Sequence, residues 1–531
     1  MSAADVAPPA VGRAALTMGA LTVVSRITGF VRVLVVAAVL GTTFLGNTYQ
    51  LANTVPNVLF ELFAAGALQA VLVPSFVAMF DSSSQDERLR FVGAVFGVVS
   101  LGLGAVAAIG MITAPWIMAL LVRGVDDPVV RHDQARLGSL FLVIFLPQLV
   151  FYGAGLVASA ALNARDHFAV PAFAPIVNNV VVIAAYLGFA ALRDGAEPSL
   201  SLTAGQKAVL GGGTTLAVVA FCSIPVVAAV RRRVLWRPNL DVRQPRLRRL
   251  FVAGSWAAVY LAATQVLLVM VYVLANAVAG GVIAYQIAFT FFLLPYGIFA
   301  VPIATAGYPT LSRLEHRGDR PAFAALAARS LDLGVFWLAP AAAALCALCF
   351  PIARLVLFGH ADRSSVALVA PAIAAFAPGV VAYGVYLMLT RAFYAFGDAR
   401  EPAMVNLIVV ASGAVAMALA SLAAPTSARL VVLGVVHTSV YVVGAIVLSV
   451  GLRRRGRGAM TSASIRSVLL AFAAALVMVP CAAVMAGNGR TGALTAAVLG
   501  GTLGAIVYFG GQRLWNGPLR AQTSLVEGLR G

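Results

Sequence analysis

The sequence predicts an all-α polytopic membrane protein of about fourteen transmembrane helices, arranged as two parallel pseudosymmetric six-helix lobes plus two C-terminal helices. Three observations carry that prediction: an apolar composition, apolar runs of spanning length along the whole chain, and an internal duplication. Of 531 residues, 61% are hydrophobic and 11% charged, with a mean hydropathy of +0.95. A soluble chain of this size needs far more polar surface to cover its core. Each run can cross roughly 30 Å of hydrocarbon as a single helix.

In chain order the spans fall near residues 14–40, 50–80, 91–121, 137–162, 170–192, 207–230, 250–278, 282–312, 323–357, 366–396, 402–424, 428–452, 463–487 and 491–512. The first is too long for a signal-peptide core and lacks a small-residue cleavage pattern after it, so it reads as a retained helix. The loops then set the orientation. With the N-terminus cytoplasmic, the inside loops receive Arg88, Arg90, Arg165 and the group Arg313, Arg317 and Arg320. They also receive eight arginines between Arg231 and Arg249, and four between Arg453 and Arg457. The outside loops near 41–49 and 279–281 hold none. This positive-inside bias predicts a multi-pass protein of a bacterial inner or plasma membrane with both termini cytoplasmic.

The expected organisation is a tail (1–13), an N-lobe (14–230), a basic linker (231–249) and a C-lobe (250–452). A second basic linker (453–462), two further helices (463–512) and a tail (513–531) follow. The net charge of +18 belongs to these linkers, where arginine meets anionic membrane lipid. No nucleic-acid-binding motif accompanies it, so nucleic acid is not an expected partner. Cys346 and Cys349 form a CxxC with no second Cys/His pair nearby, and all four cysteines lie in apolar runs, as helix-packing residues do. The five histidines have no metal-like spacing, and no Walker sequence or catalytic triad is present. The chain reads as a non-enzyme without a cofactor; a coupling ion or the membrane potential is left open.

Two matches reveal the duplication. Pro56 and Pro74 bracket a Gly/Ala-rich stretch in span two, as Pro295 and Pro309 do in span eight, the second copy being four residues shorter. The loops LNARDHFAVPAF and FYAFGDAREPAM each place an Asp (Asp166, Asp398) shortly before a Pro (Pro171, Pro402). The offsets are 239 and 231 residues, and the copies lie six spans apart. An even number of spans gives both halves the same orientation, a layout found in transporters.

The residues that can carry chemistry cluster in spans one and two. Arg26 lies near the middle of span one, with Arg32 six residues on and about 9 Å farther along the helix. A charge at mid-membrane costs at least ~2.5–3.5 kcal/mol and normally faces a wet cavity or a partner. Asn53, Thr54 and Asn57 surround Pro56, which removes a backbone hydrogen bond and can leave polar groups facing the same cavity. Glu61 reads either as a counter-ion of Arg26 or Arg32, as a cation or proton site, or as part of a local helix pair. Arg391, at the end of span ten, either snorkels to the headgroups or contacts substrate. Arg329 and Asp332 read as a local helix pair.

The segment from Ser25 to Phe76 resembles the MurJ/MviN family, the bacterial lipid II flippases of the wider MOP exporter superfamily. The resemblance rests on Ser25-Arg26, Gly29 and Arg32, on Pro56-Asn57, and on Phe63-Ala64-Ala65-Gly66-Ala67. VPAFAPIVNN (170–179), GGGTTLAV (211–218), LPYGIFAV (294–301) and RAFYAFGDAREP (391–402) extend it, so that it runs from residue 14 to about 512. It implies a pyrophosphate-linked substrate, lipid II, an undecaprenyl-pyrophosphate-linked disaccharide-pentapeptide. The headgroup would sit in a cationic cavity between two alternating lobes, with Arg26 and Arg32 on pyrophosphate, and cell-wall synthesis proteins are further candidate partners. The chain departs from the family pattern at Asn47, where an acid is usual, at Phe60-Glu61, where bases are usual, and at Phe289-Thr290, where an Asp-Arg pair is common. The alternatives are a MOP exporter of another polyprenyl-linked glycan, a cation-coupled small-molecule antiporter using Glu61, and a non-transporting scaffold.

Overall fold

The computed structural model describes residues 8–62, 66–82, 84–235, 238–241, 265–359, 363–458, 461–484 and 489–515. Every regular element among them is helical. Twelve helices among the described residues are long and apolar enough to cross a bilayer. The other two expected spans, the second and seventh, both include residues outside the described set. Span two is represented by Phe44–Phe60 and Gly66–Ser82, and span seven by Gln265–Asn276. Arg237, Arg243, Arg246, Arg248 and Arg249 of the basic linker also lie outside the described residues.

The chain divides into two compact units, Met1–Val282 and Ile283–Gly531. The division falls beyond span seven rather than at the arginine-rich linker, and a set of buried amides accounts for it. Asn47, Gln134 and Asn276 are each fully buried. The Asn47 side chain donates to the carbonyl of Val278 (2.8 Å) and accepts the amide N–H of Val282 (3.0 Å). Gln134 and Asn276 exchange two hydrogen bonds of 3.2 Å, and Gln134 also reaches the Phe44 carbonyl at 3.2 Å. The end of span seven is thereby fastened to spans two and four. Buried polar groups persist where they are satisfied in this way.

Gly280 completes the junction. Its φ of +70° suits glycine, and a Cβ there would lie 2.2 Å from the Thr42 backbone. Gly280→Ala is therefore expected to lower the apparent Tm of the detergent-solubilised protein by several degrees, since left-handed backbone alone costs ~1–2 kcal/mol. An unchanged Tm would show that the junction yields freely.

In the first unit, span one (Pro8–Leu40) packs on span five (Ala169–Ala191). Asn179 of span five donates to the Ser25 carbonyl (3.3 Å) and the Thr28 hydroxyl (3.0 Å), and its amide lies 3.6 Å from where a Cβ on Gly29 would stand. Two motif segments far apart in sequence thus form one helix contact. Arg193, just past span five, donates to the carbonyl of Val39 near the end of span one (3.3 Å), where a cation meets the negative end of the helix dipole.

In the second unit, spans thirteen (Ser462–Val484) and fourteen (Gly489–Leu514) pack against span nine (Arg320–Ala347). Asp332 accepts the hydroxyls of Thr461 (2.7 Å) and Ser464 (2.5 Å). Its partners therefore come from span thirteen and the residue before it, whereas its sequence spacing suggests a local pair with Arg329. The Tyr508 hydroxyl donates to the Phe336 carbonyl (2.7 Å). All four cysteines are free.

The repeat loop of the second unit is held by charge. Asp398 accepts the amides of Arg400 (3.0 Å) and Glu401 (3.1 Å), capping span eleven (Arg400–Ala423). Arg455, past the end of span twelve (Arg429–Arg454), bridges Asp398 (2.8 Å) and Glu401 (2.5 Å). Partial burial works to raise the Asp398 carboxyl, but these hydrogen bonds and the guanidinium outweigh it and hold the group below its ordinary value. A depressed acid contributes stability above its unfolded pKa and loses it as pH falls through the folded value. Arg455→Ala should cost ~0.5–1 kcal/mol at neutral pH, the side chains being about a third exposed. The gap to wild type should close below about pH 4, and a gap independent of pH would assign the loss to packing on Phe393 and Phe396.

Candidate substrate-binding site

Positions 26 and 32 are six residues apart, so at 3.6 residues per turn they lie about 120° apart around span one. Arg26 is exposed, beside the exposed Val23 and Ile27, and Arg32 is half-buried. Arg32 lies on the same face as Ser25, Thr28 and Gly29, one turn past the Asn179 contact. The contacts of Asn179 with Thr28 and of Arg193 with Val39 run in parallel, so Tyr186 of span five, and Tyr49 bonded to it, stand near the level of Arg32. Among the described residues, no carboxylate or carbonyl bonds either guanidinium, and Glu61 pairs with neither. The counter-ion reading of Glu61 therefore finds no support here.

The tyrosines belong to a buried chain of hydroxyls. Tyr49 contacts Tyr186 (3.0 Å) and Thr214 (2.8 Å), while Thr214 donates to the Leu210 carbonyl (2.7 Å). Thr214 has spent its only proton, so Tyr49 must donate to it, and Tyr186 must donate to Tyr49. The chain is directional and fully committed, which fixes the wall beside Arg32. Next to it, Gln148 donates to Thr215 (2.9 Å), and the Gln148 carbonyl oxygen is buried without a partner.

Span two brings the other candidates. Pro56 deprives the Ala52 carbonyl of its usual helical donor. Asn57 turns its amide back to the Asn53 carbonyl (2.7 Å) and is exposed; Asn53 and Glu61 are half-buried. Phe60 packs against Tyr152, with ring centroids 5.1 Å apart. The helix changes to a wider π-type turn at residues 61–62.

Arg391 belongs to the second unit. Its guanidinium stands 5.8 Å over the Tyr308 ring. Tyr296 begins a π-helical turn, Tyr296–Ala300. The first unit therefore contains Arg26, Arg32, Asn53, Asn57 and Glu61, of which only Asn53 and Asn57 are hydrogen-bonded to each other, and the second holds Arg391 with Tyr308. Phe289 and Thr290 place no charge nearby: Phe289 stacks on Phe292, and Thr290 donates to the Gln286 carbonyl (2.7 Å). The second unit also contains an open groove of about 580 Å³ among spans nine, ten, twelve and thirteen. Its walls are almost wholly apolar and include Ala339, Cys346, Pro378, Val442 and Phe472.

Sequence reading missed Tyr49, Tyr152, Tyr186 and Thr214. The only signal was Thr214-Thr215 inside GGGTTLAV, because a tyrosine in an apolar run looks like any other large core residue.

A family model described as lipid II flippase MurJ matches residues 36–499. Asn53, Asn57, Glu61 and Arg391 fall inside the matched segment, and Arg26 and Arg32 just before it. A probable lipid II flippase MurJ of Rhizobium tropici is 31% identical over 404 residues, spanning 75% of this chain and 73% of that one. The lipid II flippase MurJ of Burkholderia cenocepacia is 27% identical over 403 residues, spanning 75% and 76%. Among solved structures, a lipid II flippase MurJ in an inward closed conformation superposes with a TM-score of 0.76 at 19% identity, covering 94% of this chain and 98% of that one. An inward-facing MATE transporter of the MOP superfamily gives 0.63 at 13% identity, covering 83% and 98%. These two likenesses show the fold.

Proposed function

Because the chain belongs to the MurJ family of lipid II flippases, we propose that it carries lipid II from the cytoplasmic to the outer leaflet of the cell membrane. The reading rests above all on Arg26 and Arg32 of span one, whose guanidinium groups bond no carboxylate or carbonyl among the described residues. A cation left without a protein partner inside a span is costly, and a guanidinium fork suits the oxygens of a pyrophosphate. Arg26 and Arg32 would take the pyrophosphate, with Asn53 and Asn57 as neutral donors to sugar or peptide. Arg391 would hold the headgroup from the second half. The apolar groove suits the polyprenyl tail, whose burial needs no polar partner. The two halves would rock to open a central cationic cavity alternately to each side, with both termini cytoplasmic.

A second reading, export of another polyprenyl-linked glycan, draws on the uncharged Phe289-Thr290. It keeps the pyrophosphate and changes only the sugar or peptide. The test is expression in cells depleted of their own flippase, with labelling of lipid II at the outer surface. Restored labelling is expected. Full expression with no restored labelling removes lipid II as the substrate.

A further inference from the structure

The last two helices leave a polar pocket at one border of the membrane that the flippase reading does not use. It is open, has a volume of about 410 Å³, and lies where span thirteen begins and span fourteen ends. Its walls are Ser462, Ile465, Arg466, Leu469 and Trp515. The first four fall at i, i+3, i+4 and i+7, so they share one face of the first two turns of span thirteen. Trp515 closes the pocket from just past Leu514, the last residue of span fourteen.

Arg466 is half-buried and held in place. Its Nη1 donates to the Trp515 carbonyl (2.6 Å), setting a cation at the negative end of span fourteen. A guanidinium carries five N–H donors, and no carboxylate bonds this one among the described residues. The sequence from Ser462 to Trp515 contains three arginines, Arg466, Arg490 and Arg513, and no acid. Arg490 is engaged at the other border, with the Leu357 carbonyl (2.9 Å). Arg513 is exposed, two residues before Trp515. Asp332, the carboxylate that meets this end of span thirteen, is taken by Thr461 and Ser464. Ser464 lies about 160° around the helix from Arg466, so that acid is on the opposite side. The pocket is cationic and uncompensated.

Beyond the pocket the surface is apolar. Ile465, Leu469, Phe472 and Leu476 are all exposed and follow at intervals of four, three and four residues. They form a ridge running from the pocket into the hydrocarbon depth. Trp515 is exposed as well, at the level where tryptophan is enriched between headgroups and chains. A soluble anion would make no use of the ridge. A zwitterionic lipid would bring an ammonium for which the pocket offers no carboxylate. An anionic phospholipid meets both features.

We propose that this pocket binds one anionic phospholipid. Its phosphate takes the remaining N–H groups of Arg466 and the Ser462 hydroxyl, its glycerol lies against the Trp515 ring, and its chains follow the ridge. Arg466 already holds the end of span fourteen, so the bound lipid ties the two C-terminal helices together at this border. The site is independent of what the protein transports.

The test places the full chain in nanodiscs of equal parts phosphatidylglycerol and phosphatidylcholine with matched chains. The protein is then extracted and its retained lipid counted by native mass spectrometry. Wild type should retain one phosphatidylglycerol with about tenfold preference over phosphatidylcholine, as one charge-assisted hydrogen bond supplies. Arg466→Gln should abolish the preference, and Arg466→Lys should keep part of it. Ser462→Glu should abolish it too, by setting a carboxylate one turn from Arg466. That variant leaves the Arg466–Trp515 bond in place, so it decides the matter even if Arg466→Gln fails to fold. Equal retention of the two lipids by wild type overturns the proposal, as does an undiminished preference in Ser462→Glu. Displacement of the retained phosphatidylglycerol by excess glycerol phosphate also overturns it, since the occupant would then be a free phosphate.

Discussion

Arg32→Ala is expected to lower the proposed lipid II translocation by about tenfold or more, with Arg32→Lys recovering only part of it. A hydrogen bond to a charged group is worth ~1.5–3 kcal/mol, and each 1.4 kcal/mol is a factor of ten. Lysine keeps the charge but presents a point donor in place of a planar fork. Arg32 should matter more than Arg26. It is half-buried, beside a hydroxyl chain that holds its surroundings still, so its guanidinium needs less ordering when the anion arrives. Stability is the control. Arg32 bonds no protein group among the described residues, so Arg32→Ala should keep or raise the Tm while transport falls. Loss of both together would make Arg32 a structural residue.

Asn47→Asp is expected to cost about 3 kcal/mol and to lower the apparent Tm by several degrees. Asn47 is fully buried and uses both ends of its amide, one as donor to Val278 and one as acceptor from Val282. A carboxylate can only accept. It would keep the Val282 amide but set a negative charge against the Val278 carbonyl, and an unsatisfied buried group costs ~1–3 kcal/mol before any charge is added. Asn47→Leu should leave both partners unmet and be similarly harmful. A melting temperature within a degree of wild type for either variant would show that the amide clasp is dispensable. Asparagine at position 47 is then a matter of fit: this junction needs a donor and an acceptor in one side chain.

The spans were legible in the sequence because hydrocarbon thickness imposes a length and composition that a single run displays by itself. Arg26, Arg32 and Pro56 stood out for the same reason, since each breaks the rule for its run. The clasp was not legible, because it depends on Asn47 meeting Val278 and Val282, more than 230 residues away. Asp332 misled for a related reason: Arg329 is near in sequence, but Thr461 and Ser464 arrive on another helix. Tyr49 and Tyr186, near the level of Arg32, were hidden by their apolar neighbourhoods. Pattern detects a polar residue among apolar ones; it does not tell whether that residue has found a partner.

The π-helical turn at Tyr296–Ala300 has a consequence for how such a chain can change by insertion and deletion. A π turn is an α turn holding one residue too many. Removing one residue from 296–300 should restore a plain helix and leave the flanking faces in register, whereas the same deletion one turn away would rotate everything after it by about 100°. The stretch is thus a place where a span tolerates a change in length. Two copies of one ancestral half, already four residues different between their paired prolines, could drift apart there without losing the faces that pack.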